Sequence, residues 1–521
     1  MKLLKLGTRR SLLARAQSSA VALDLESAHP GLKVELVGID TRGDRIQEVP
    51  LSQVDGKEFF TAEIDAALAS GEVDLTVHSF KDLALERPPH FCLGAVPRRQ
   101  NPRDIIFFAP DVQAQLARGG TLRIGSSSPR RGAFVPQFLA QALPHAGLEA
   151  ARVELVPLRG NVDTRLRRLR EPRGSERHLD GVILAFAGVS RLWQDKVVGA
   201  AEVLRELLAG LPRMLLPLTH CPAAPAQGAL AIECRTDDAA TRAILAAIED
   251  PATRAAIGAE RVLLAERGGG CHQKFGATQV ANAVLGALLH VREADDAGAG
   301  EPELRWQAPP APQGAVRPWD GSAQPAPAVE PLAAASEVAA AGLGNVQAAF
   351  VAHQRALPAL AAADANRCPH LWVSGTGTWF ALAARGIWVE GCAESLGFAA
   401  LRETLAEPLL ALPPLRDWLA LTNEESADGW GDVPALATYR HKPPAAPAVA
   451  ATGAAAADAG PAAATHAWWH SSQQFDRYQA QLPPGLQHAC GPGKTAAHLR
   501  AAGLAVSVFP SARHWRSWLG A

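Results

Sequence analysis

Arginine-bearing turns are the first feature of this sequence that could do chemistry. Arg9-Arg10, Arg130-Arg131 and Arg159 each follow a short apolar run of the kind that forms a strand. Guanidinium groups bind carboxylates and phosphates through paired hydrogen bonds, and the helix N-termini at such turns add backbone N–H donors. Because the carboxyl ends of strands face one cleft in a two-lobed α/β fold, these turns predict a site for a ligand with several negative charges.

One carboxylate and one thiol could take part in a reaction. Asp82 stands at a predicted strand end beside Lys81, where a carboxylate could handle protons. Burial would raise its pKa and the lysine would lower it, so its protonation is left open, and a helix-capping aspartate is an equal alternative. Cys271 follows three glycines, which suits an exposed thiol alkylated by a bulky group, although most lone cysteines are inert.

Other motifs favour structural interpretations. The cluster from Arg165 to Arg170 is typical of a solvated helix face. The segment 491–495 resembles a phosphate-binding loop, but position 488 holds His488 where that motif needs glycine. The segment 374–378 lacks the full dinucleotide fingerprint, so we interpret it as a helix-capping turn.

Alternating short strands and amphipathic helices must position these side chains. Ser11 is the predicted N-cap of the first helix. The first such series predicts a wound α/β domain, and a second, similar series follows Asn101-Pro102-Arg103-Asp104. The predicted strands span 3–6, 33–39, 75–78, 105–108, 122–124, 153–157, 181–185 and 229–234, and the predicted helices span 12–28, 59–69, 111–117, 132–141, 163–169, 237–247 and 252–267.

Length and composition limit the class of protein. At about 100–200 residues per domain, 521 residues suggest three or four domains. Lys and Arg total 51 against 52 Asp and Glu, so the formal charge of −1 provides no global attraction to nucleic acid or anionic membrane. Seven scattered cysteines without paired CxxC spacing indicate reduced thiols in a cytosol. The N-terminus mimics a twin-arginine signal, but charged residues interrupt the apolar region that should follow.

An ordered set of motifs carries a resemblance to a known family. The motifs are Gly7-Thr8-Arg9-Arg10-Ser11-Leu12-Leu13-Ala14, Asp40-Thr41-Arg42-Gly43-Asp44, Val77-His78-Ser79-Phe80-Lys81-Asp82, Asn101-Pro102-Arg103-Asp104, Gly125-Ser126-Ser127-Ser128-Pro129-Arg130-Arg131, Leu158-Arg159-Gly160-Asn161-Val162, Gln227-Gly228-Ala229 and Gly269-Gly270-Cys271. Over about residues 1–290 the sequence resembles the hydroxymethylbilane synthase, or porphobilinogen deaminase, family.

The resemblance implies a fold and a domain organisation. The implied fold class is α/β: two periplasmic-binding-protein-like lobes, a small α+β cofactor domain and a C-terminal α/β domain. The expected divisions are 1–100 with 215–235 for lobe 1, 101–214 for lobe 2, 236–335 for the cofactor domain with an Ala/Pro-rich insertion, and 336–521 for the C-terminal domain. Residues 297–331 are expected to form a loose connection or an embellished hairpin, and residues 443–464 a mobile segment.

The resemblance also implies a reaction and the residues that perform it. Cys271 would carry a covalent dipyrromethane cofactor through a thioether, and Asp82 would be the catalytic carboxylate. The family eliminates ammonia from porphobilinogen, adds four such units to the bound chain and then releases it by hydrolysis. The other implied cofactor-binding residues are Lys81, Ser127, Arg130, Arg131, Ser79 and Lys57, and the implied substrate-binding residues are Arg9, Ser11, Arg159, Arg191 and Gln17. No metal is expected.

Two stretches depart from the family pattern. Ala62 replaces the second lysine of a lysine-rich stretch that begins at Lys57, so one cofactor contact is in doubt. His272-Gln273-Lys274-Phe275 replaces an apolar pattern after Cys271, and Arg267 stands where an apolar residue is usual. We expect the cofactor loop to pack differently and the activity to survive, because Asp82 and the thiol are kept.

The C-terminal part resembles the uroporphyrinogen-III synthase family more weakly. The similar segments are 373–379, 386–389, 437–439, 469–472 and 490–496. The resemblance implies a two-lobed α/β domain that would cyclise the product of the first part, although about 180 residues are short of a complete copy. A degenerate structural remnant is an alternative.

Two other functions compete with the synthase. A non-catalytic binding protein with the same two lobes would capture an anion in its cleft and would need no Cys271. Nucleic-acid binding through the helix near Arg165 to Arg170 is disfavoured by the charge balance and by the lack of interleaved aromatic residues. We expect a cytoplasmic monomer that binds porphobilinogen, with neither nucleic acid nor membrane as a partner.

Overall fold

The structure of the chain is a computed structural model. This structure describes residues 2–41, 61–147, 149–270, 273–322, 328–358, 362–442 and 461–520. The chain forms two compact units. The first comprises residues 1–280, 289–304 and 407–411, and the second comprises residues 281–288, 305–406 and 412–521.

The strands and helices of the first unit, together with three strands that cross its boundary (Phe275–Asn282, Gly286–Asp295 and Glu303–Trp306), follow in chain order. The strands are β1 (Lys2–Arg9), β2 (Leu32–Ile39), β3 (Leu75–Ser79), β4 (Phe91–Ala95), β5 (Asp104–Phe108), β6 (Thr121–Gly125), β7 (Arg152–Val156), β8 (Gly181–Ala185), β9 (Arg213–Leu215), β10 (Leu230–Arg235), β11 (Phe275–Asn282), β12 (Gly286–Asp295), β13 (Gly298–Ala299) and β14 (Glu303–Trp306). The helices are α1 (Leu12–Ala28), α2 (Ala62–Ser70), α3 (Val112–Arg118), α4 (Pro129–Ala142), α5 (Val162–Arg167), α6 (Phe186–Trp193), α7 (Ala200–Leu208), α8 (Ala239–Leu245) and α9 (Pro251–Ala265).

Two five-stranded sheets of this unit share one design. Their strand orders are β2-β1-β3-β10-β4 and β7-β6-β8-β5-β9. In each, three neighbouring strands are parallel and a fourth, β10 or β5, runs antiparallel to both of its neighbours. The chain leaves the first sheet after β4 and returns to it through β10. Because β10 and β5 run antiparallel to β3 and β8, the turns that precede β10 and β5 lie beside the carboxyl ends of β3 and β8. A further four-stranded sheet joins β11, β12, β13 and β14.

The remaining elements belong to the second unit. Its strands are β15 (Pro318–Trp319), β16 (Val329–Pro331), β17 (Ala348–Val351), β18 (His370–Val373), β19 (Gly391–Cys392), β20 (Trp418–Asn423), β21 (Ala435–His441), β22 (His466–Trp469), β23 (Gln487–Cys490) and β24 (Val506–Val508). Its helices are α10 (Ala333–Ala341), α11 (Ala362–Ala365), α12 (Thr376–Ala383), α13 (Phe398–Leu405), α14 (Ser472–Tyr478), α15 (Lys494–Ala501) and α16 (Ala512–Leu519). They form a six-stranded sheet, β16-β21-β20-β17-β18-β19, and a four-stranded parallel sheet, β15-β22-β23-β24.

Helix α1 illustrates how the local sequence forms these elements. The Ser11 side chain accepts a hydrogen bond from the backbone N–H of Ala14 and caps the helix, as the sequence predicts. Val21 and Leu25 recur at helical spacing and are buried against β1 and β3, with Leu6 and Leu75 in the same cluster. Among the described residues, no helix combines the length and the apolar character needed to span a membrane.

Several expected elements are confirmed and others are corrected. The predicted helix 12–28 and strand 181–185 match α1 and β8. The turn at 374–378 starts helix α12, with Gly375 as its N-cap residue, as expected. In the described part of the stretch 297–331, β13 pairs antiparallel with β12, which fits the expected hairpin, while β15 and β16 pair with β22 and β21. Of the segment expected to be mobile, residues 443–460 lie outside the described residues.

Candidate active site

The turn after β3 carries the predicted catalytic carboxylate. Ser79 ends the strand, and residues Phe80–Asp82 form one turn of 3₁₀-helix. The Arg261 guanidinium lies 4.7 Å from the centre of the Phe80 ring and donates hydrogen bonds to the carbonyls of Leu83 and Ala84 at 3.1 and 2.8 Å. Arg261 of α9, which no sequence motif pointed to, therefore fixes this turn.

Asp82 and Lys81 differ in their surroundings within this turn. The Asp82 side chain is exposed, whereas Lys81 is half-buried. The Lys81 ammonium donates a hydrogen bond to Gln227 Oε1 at 3.4 Å. Burial lowers the pKa of Lys81, although the charge of Asp82 acts in the opposite direction. The carboxylate is thus open to a ligand while the lysine beside it is held in place.

Arg130 and Arg131 converge on one buried carboxylate. Asp104, at the start of β5, is fully buried. It accepts hydrogen bonds from Nη2 of Arg130 and from Nη2 of Arg131, both at 2.7 Å. Burial alone would raise the pKa of Asp104, but the two guanidinium charges hold it far below its usual range. The single negative charge of Asp104 therefore neutralises only one of the two positive charges of Arg130 and Arg131.

The two arginines retain unused hydrogen-bonding capacity. Their other Nη atoms donate to the carbonyls of Pro222 and Ile183 at 2.8 and 3.1 Å. Among the described residues, neither Nε finds a hydrogen-bond partner, and both Nε atoms are buried. Unpaired buried N–H groups are costly, so an anionic ligand that accepted from them would be favoured. This arrangement fits a cofactor that bears carboxylate side chains.

Arg165 joins the same group of cations. Its Nε donates to the carbonyl of Gly160 at 2.7 Å. Burial, together with the charges of Arg131 and Arg159, lowers its pKa to about 10. The expectation that Arg165 merely solvates a helix face is therefore wrong, because the helix turns this side chain inward while its neighbour Arg167 is exposed.

Arg191 and Gln227 complete the cluster. Arg191 of α6 is buried, and its Nη2 donates to the carbonyl of Gly228 at 2.6 Å, while burial lowers its pKa to about 10. Gln227 Nε2 donates to Asp104 Oδ1 at 2.9 Å, while its Oε1 accepts from Lys81. Gln227 thus connects the carboxylate that binds the two arginines to the turn that carries Asp82, a role its motif did not reveal.

Some predicted ligand-binding residues make structural contacts. Ser11 caps α1, and Gln17 Nε2 donates to Ser79 Oγ at 3.0 Å. Ser127 Oγ donates to the carbonyl of Leu158 at 3.0 Å and accepts from its N–H at 2.9 Å, so it joins two of the arginine-bearing turns. Arg9 ends β1 and is half-buried. Ser11, Gln17 and Ser127 therefore bind other residues of the protein in this structure.

Two predicted residues lie outside the described residues: Lys57 and Cys271. The glycines that precede the cysteine are described, and Gly269 and Gly270 have positive φ angles of 71° and 99°. A Cβ atom on Gly269 would lie 2.8 Å from Leu85 Cδ1. Glycine is thus required where this loop passes close to the segment that follows Asp82.

The departures around this loop have local partners. The Arg267 guanidinium lies 4.3 Å from the centre of the Phe275 ring and donates to Glu293 at 2.9 Å. Gln273 Nε2 donates to the carbonyls of Arg267 and Gly269 at 3.0 and 3.3 Å. The unusual residues therefore brace the loop from its two ends.

A cluster of two carboxylates and a histidine, from the first sheet and helix α2, has the composition of a metal site. Ligand atoms of Asp65, His78 and Glu233 lie within 4.8 Å of one another. Arg87 donates to both carboxylates, at 2.7 to 3.0 Å, and supplies the positive charge that a metal would bring. We therefore assign this cluster to structure.

Comparison with known proteins identifies the family. Residues 4–243 match the family model described as porphobilinogen deaminase, dipyromethane cofactor binding domain. The porphobilinogen deaminase of Acidothermus cellulolyticus is 42% identical over 291 residues, which cover 54% of this chain and 77% of that protein. The chain belongs to the porphobilinogen deaminase family. A second porphobilinogen deaminase, from Roseiflexus castenholzii, is 42% identical over 277 residues and is covered to 80%.

The two porphobilinogen deaminases cover 54% and 53% of the chain. Family membership therefore concerns the first unit. Among solved structures, the methionine-binding protein MetQ is 10% identical, covers 49% of this chain and 92% of its own, and has a TM-score of 0.27.

Proposed function

We propose that the first unit is a hydroxymethylbilane synthase. It deaminates porphobilinogen and joins four such units head to tail, starting from a dipyrromethane on Cys271, and it releases hydroxymethylbilane. The observation that carries this function is the buried surplus of guanidinium groups beside Asp82, in a chain of the porphobilinogen deaminase family. It is a transferase of tetrapyrrole biosynthesis.

The cations bind the carboxylate side chains of the pyrroles. Every porphobilinogen carries two carboxylates, so a growing chain brings several negative charges into the site. Burial lowers the pKa of Arg165 and of Arg191, and it strengthens each charge-assisted hydrogen bond that a carboxylate would form with them. Arg159, whose charge acts on Arg165, would bind a carboxylate in the same way. Arg9 supplies a further cation at the rim.

Asp82 handles the protons of the reaction. Its exposed carboxylate stands next to Lys81, which keeps the turn anchored to Gln227. A carboxylate can protonate a departing amine and can stabilise positive charge that develops on a pyrrole nitrogen. The fixed backbone of residues 80–84 holds Asp82 for both tasks.

The cofactor would be bound by the buried N–H groups of Arg130 and Arg131 that have no hydrogen-bond partner among the described residues. The buried Nε atoms of Arg130 and Arg131 would hold carboxylates of the dipyrromethane, with Lys81 near them. Ser79, two residues before Lys81 in the chain, would bind the dipyrromethane too. When bound, the dipyrromethane supplies the pyrrole carbon from which the chain grows. Lys57 and Ser127 belong to the same proposed set, with Ser127 acting through the loop that it fixes.

Three measurements on the purified protein test this function. The intact mass should exceed the sequence mass by two pyrrole units, the Ehrlich reaction should be positive, and porphobilinogen should be consumed with release of ammonia. Cys271→Ser should lose the extra mass and the activity together, while Cys221→Ser, at another cysteine of the same unit, should keep both. A wild-type protein that binds porphobilinogen without consuming it would instead support a binding protein.

We propose uroporphyrinogen-III synthase as the function of the second unit. Support comes from its two separate β-sheets, each accompanied by helices, which suit a two-lobed α/β domain. The segments that resemble the uroporphyrinogen-III synthase family add further support. Tyr439 is buried at the end of β21, burial raises its pKa, and Thr438 Oγ1 donates to the carbonyl of Ala356 at 2.7 Å. A synthase fused to its supplier would receive an unstable product without dilution.

Isomer analysis tests the second activity. The full chain is incubated with porphobilinogen and the uroporphyrinogens are separated. Uroporphyrinogen III supports the fused synthase, whereas exclusive uroporphyrinogen I shows that the second unit does not cyclise the product. The proposal places both reactions in a cytoplasmic monomer without nucleic acid or membrane as a partner.

A further inference from the structure

We propose that Cys92 and Cys234 form a reversible disulfide site in the first unit. The two thiols lie on adjacent strands, and their sulfur atoms are 3.6 Å apart. Neither belongs to the active site, and the reaction proposed above makes no use of them. The inference is therefore independent of the proposed function.

The strand register places the two residues directly opposite each other. Cys234 of β10 pairs with Cys92 of β4 in an antiparallel ladder. Directly opposed residues in such a ladder have Cα atoms about 4.5–5.5 Å apart, which lies within the usual range for a disulfide. The sulfur atoms can then bond through small side-chain rotations, because the backbone already has the required spacing.

The surroundings leave room for this movement and give one thiol access to solvent. Cys234 is fully buried, whereas Cys92 is partly exposed. Gly94 lies two residues after Cys92 on β4, and a Cβ atom there would lie 3.2 Å from Cys234 Sγ and 2.4 Å from Leu245 Cδ1. A larger residue at this position would crowd the sulfur atom, so the glycine leaves space beside it. A small oxidant would reach Cys92 first.

The oxidant that would form this disulfide is a peroxide. The Cys92 thiolate attacks one peroxide oxygen, an S–O bond forms, the O–O bond breaks, and hydroxide leaves. The Cys234 sulfur then attacks Cys92, the S–S bond forms, the S–O bond breaks, and the proton of Cys234 leaves with the hydroxyl as water. Burial and the contact with Cys92 raise the pKa of Cys234 to about 12, so Cys234 is the resolving thiol and the second step is slow.

The cross-link should stabilise the unit without altering the active site. It would close a loop that contains the entire second sheet, from β5 to β9, and long loops gain most from closure. Leu230, at the other end of β10, pairs with Ser79, and it lies four residue steps from Cys234, about 13 Å along the strand. We therefore expect higher stability in the oxidised form and an unchanged rate.

Peptide mapping of the peroxide-treated holoprotein tests the site. Free thiols are blocked, and trypsin releases the segments 82–98 and 214–235, which contain Cys92 and Cys234. The expected product is these two peptides joined, two hydrogen atoms lighter than their sum and separated again by dithiothreitol. Oxidation should also raise the Tm by about 3 °C or more, reversibly.

Matched variants identify the sulfur atoms involved. Cys221 lies in the same tryptic peptide as Cys234, so Cys221→Ala should keep the cross-link, while Cys92→Ser should abolish both the cross-link and the rise in Tm. A link through Cys221, oxidation of Cys92 to sulfinic or sulfonic acid without a link, or two thiols that stay reduced would each overturn the proposal. Porphobilinogen turnover, measured in parallel, reports on the proposed function separately.

Discussion

The two units of the chain differ in how far the hydrogen-bond donors of their cationic side chains are used by the protein itself. In the second unit, Lys494 follows a glycine-rich turn after β23 and donates to the carbonyls of Ser426 and Asp428, both at 2.6 Å. Its ammonium also lies 4.7 Å from the centre of the Trp430 ring. In the first unit, Arg130 and Arg131 share one carboxylate and keep buried Nε atoms without partners among the described residues.

This difference shows what separates a structural cation from a ligand-binding one. A lysine in a glycine-rich turn resembles a phosphate-binding lysine, yet the donors of Lys494 are used by its own protein. Exposed pairs of the same unit, such as Arg402 with Asp432 at 2.6 Å and Arg440 with Glu330 at 3.1 Å, are likewise neutralised locally. The first unit instead buries cations with too few carboxylates, and that imbalance marks its site.

The largest effect is expected at the carboxylate within the cation-rich site. Asp82→Asn removes a proton carrier and a negative charge while keeping the shape of the side chain. We expect kcat to fall by about 100-fold or more, with the cofactor mass retained. Single-turnover kinetics and intact mass measure the two properties. A variant that keeps most of its rate with a full complement of cofactor would contradict the role of Asp82.

A smaller loss of activity is expected on substitution of Arg165 of α5, and substitution of the exposed Arg167 should have almost no effect. Arg165→Gln removes a half-buried cation beside Arg131 and Arg159, so kcat/KM for porphobilinogen should fall by about tenfold, the loss of one charge-assisted hydrogen bond. Arg167→Gln is the control, since Arg167 is exposed on the same helix and should change kcat/KM by less than about twofold. Equal effects of the two variants would show that Arg165 acts only through general charge.

The smallest effect is expected at the neutralised lysine of the second unit. Lys494→Met removes two hydrogen bonds and the contact with Trp430, and we expect the Tm to fall by about 2–4 °C, because exposed contacts of this kind contribute about 1 kcal/mol. Lys442→Met, at another exposed lysine of this unit, should leave the Tm unchanged. The rate of porphobilinogen consumption should stay within about twofold of the wild type in both. A loss of that rate in Lys494→Met would break the distinction between the two units.

Local features of the fold could be predicted from the sequence, and contacts between distant segments could not. Ser11 and the apolar spacing of α1 are determined within one helix, and β8 is a continuous apolar run, so their bounds were predictable. Residues 318–319 form a strand because they pair with β22, which lies almost 150 residues further along the chain.

The candidate site shows the same limit. Its arginine-bearing turns were predictable because guanidinium groups at strand ends bind anions wherever they meet. Arg261 and Gln227 were missed as positioning residues because their partners, the carbonyls of residues 83 and 84 and the side chains of Asp104 and Lys81, lie more than a hundred residues away along the chain. Arg165 was misassigned for the same reason, since only the tertiary fold brings it to Arg131.

The central claim is that the cations of the first unit hold a chain of pyrroles while it grows on Cys271. Its most direct test is mass spectrometry of the holoprotein after substoichiometric additions of porphobilinogen, followed by mapping of the peptide that contains Cys271. We predict a ladder of discrete masses, spaced by one pyrrole unit and confined to that peptide. A mass that never changes, or increments found on another residue, would contradict the account.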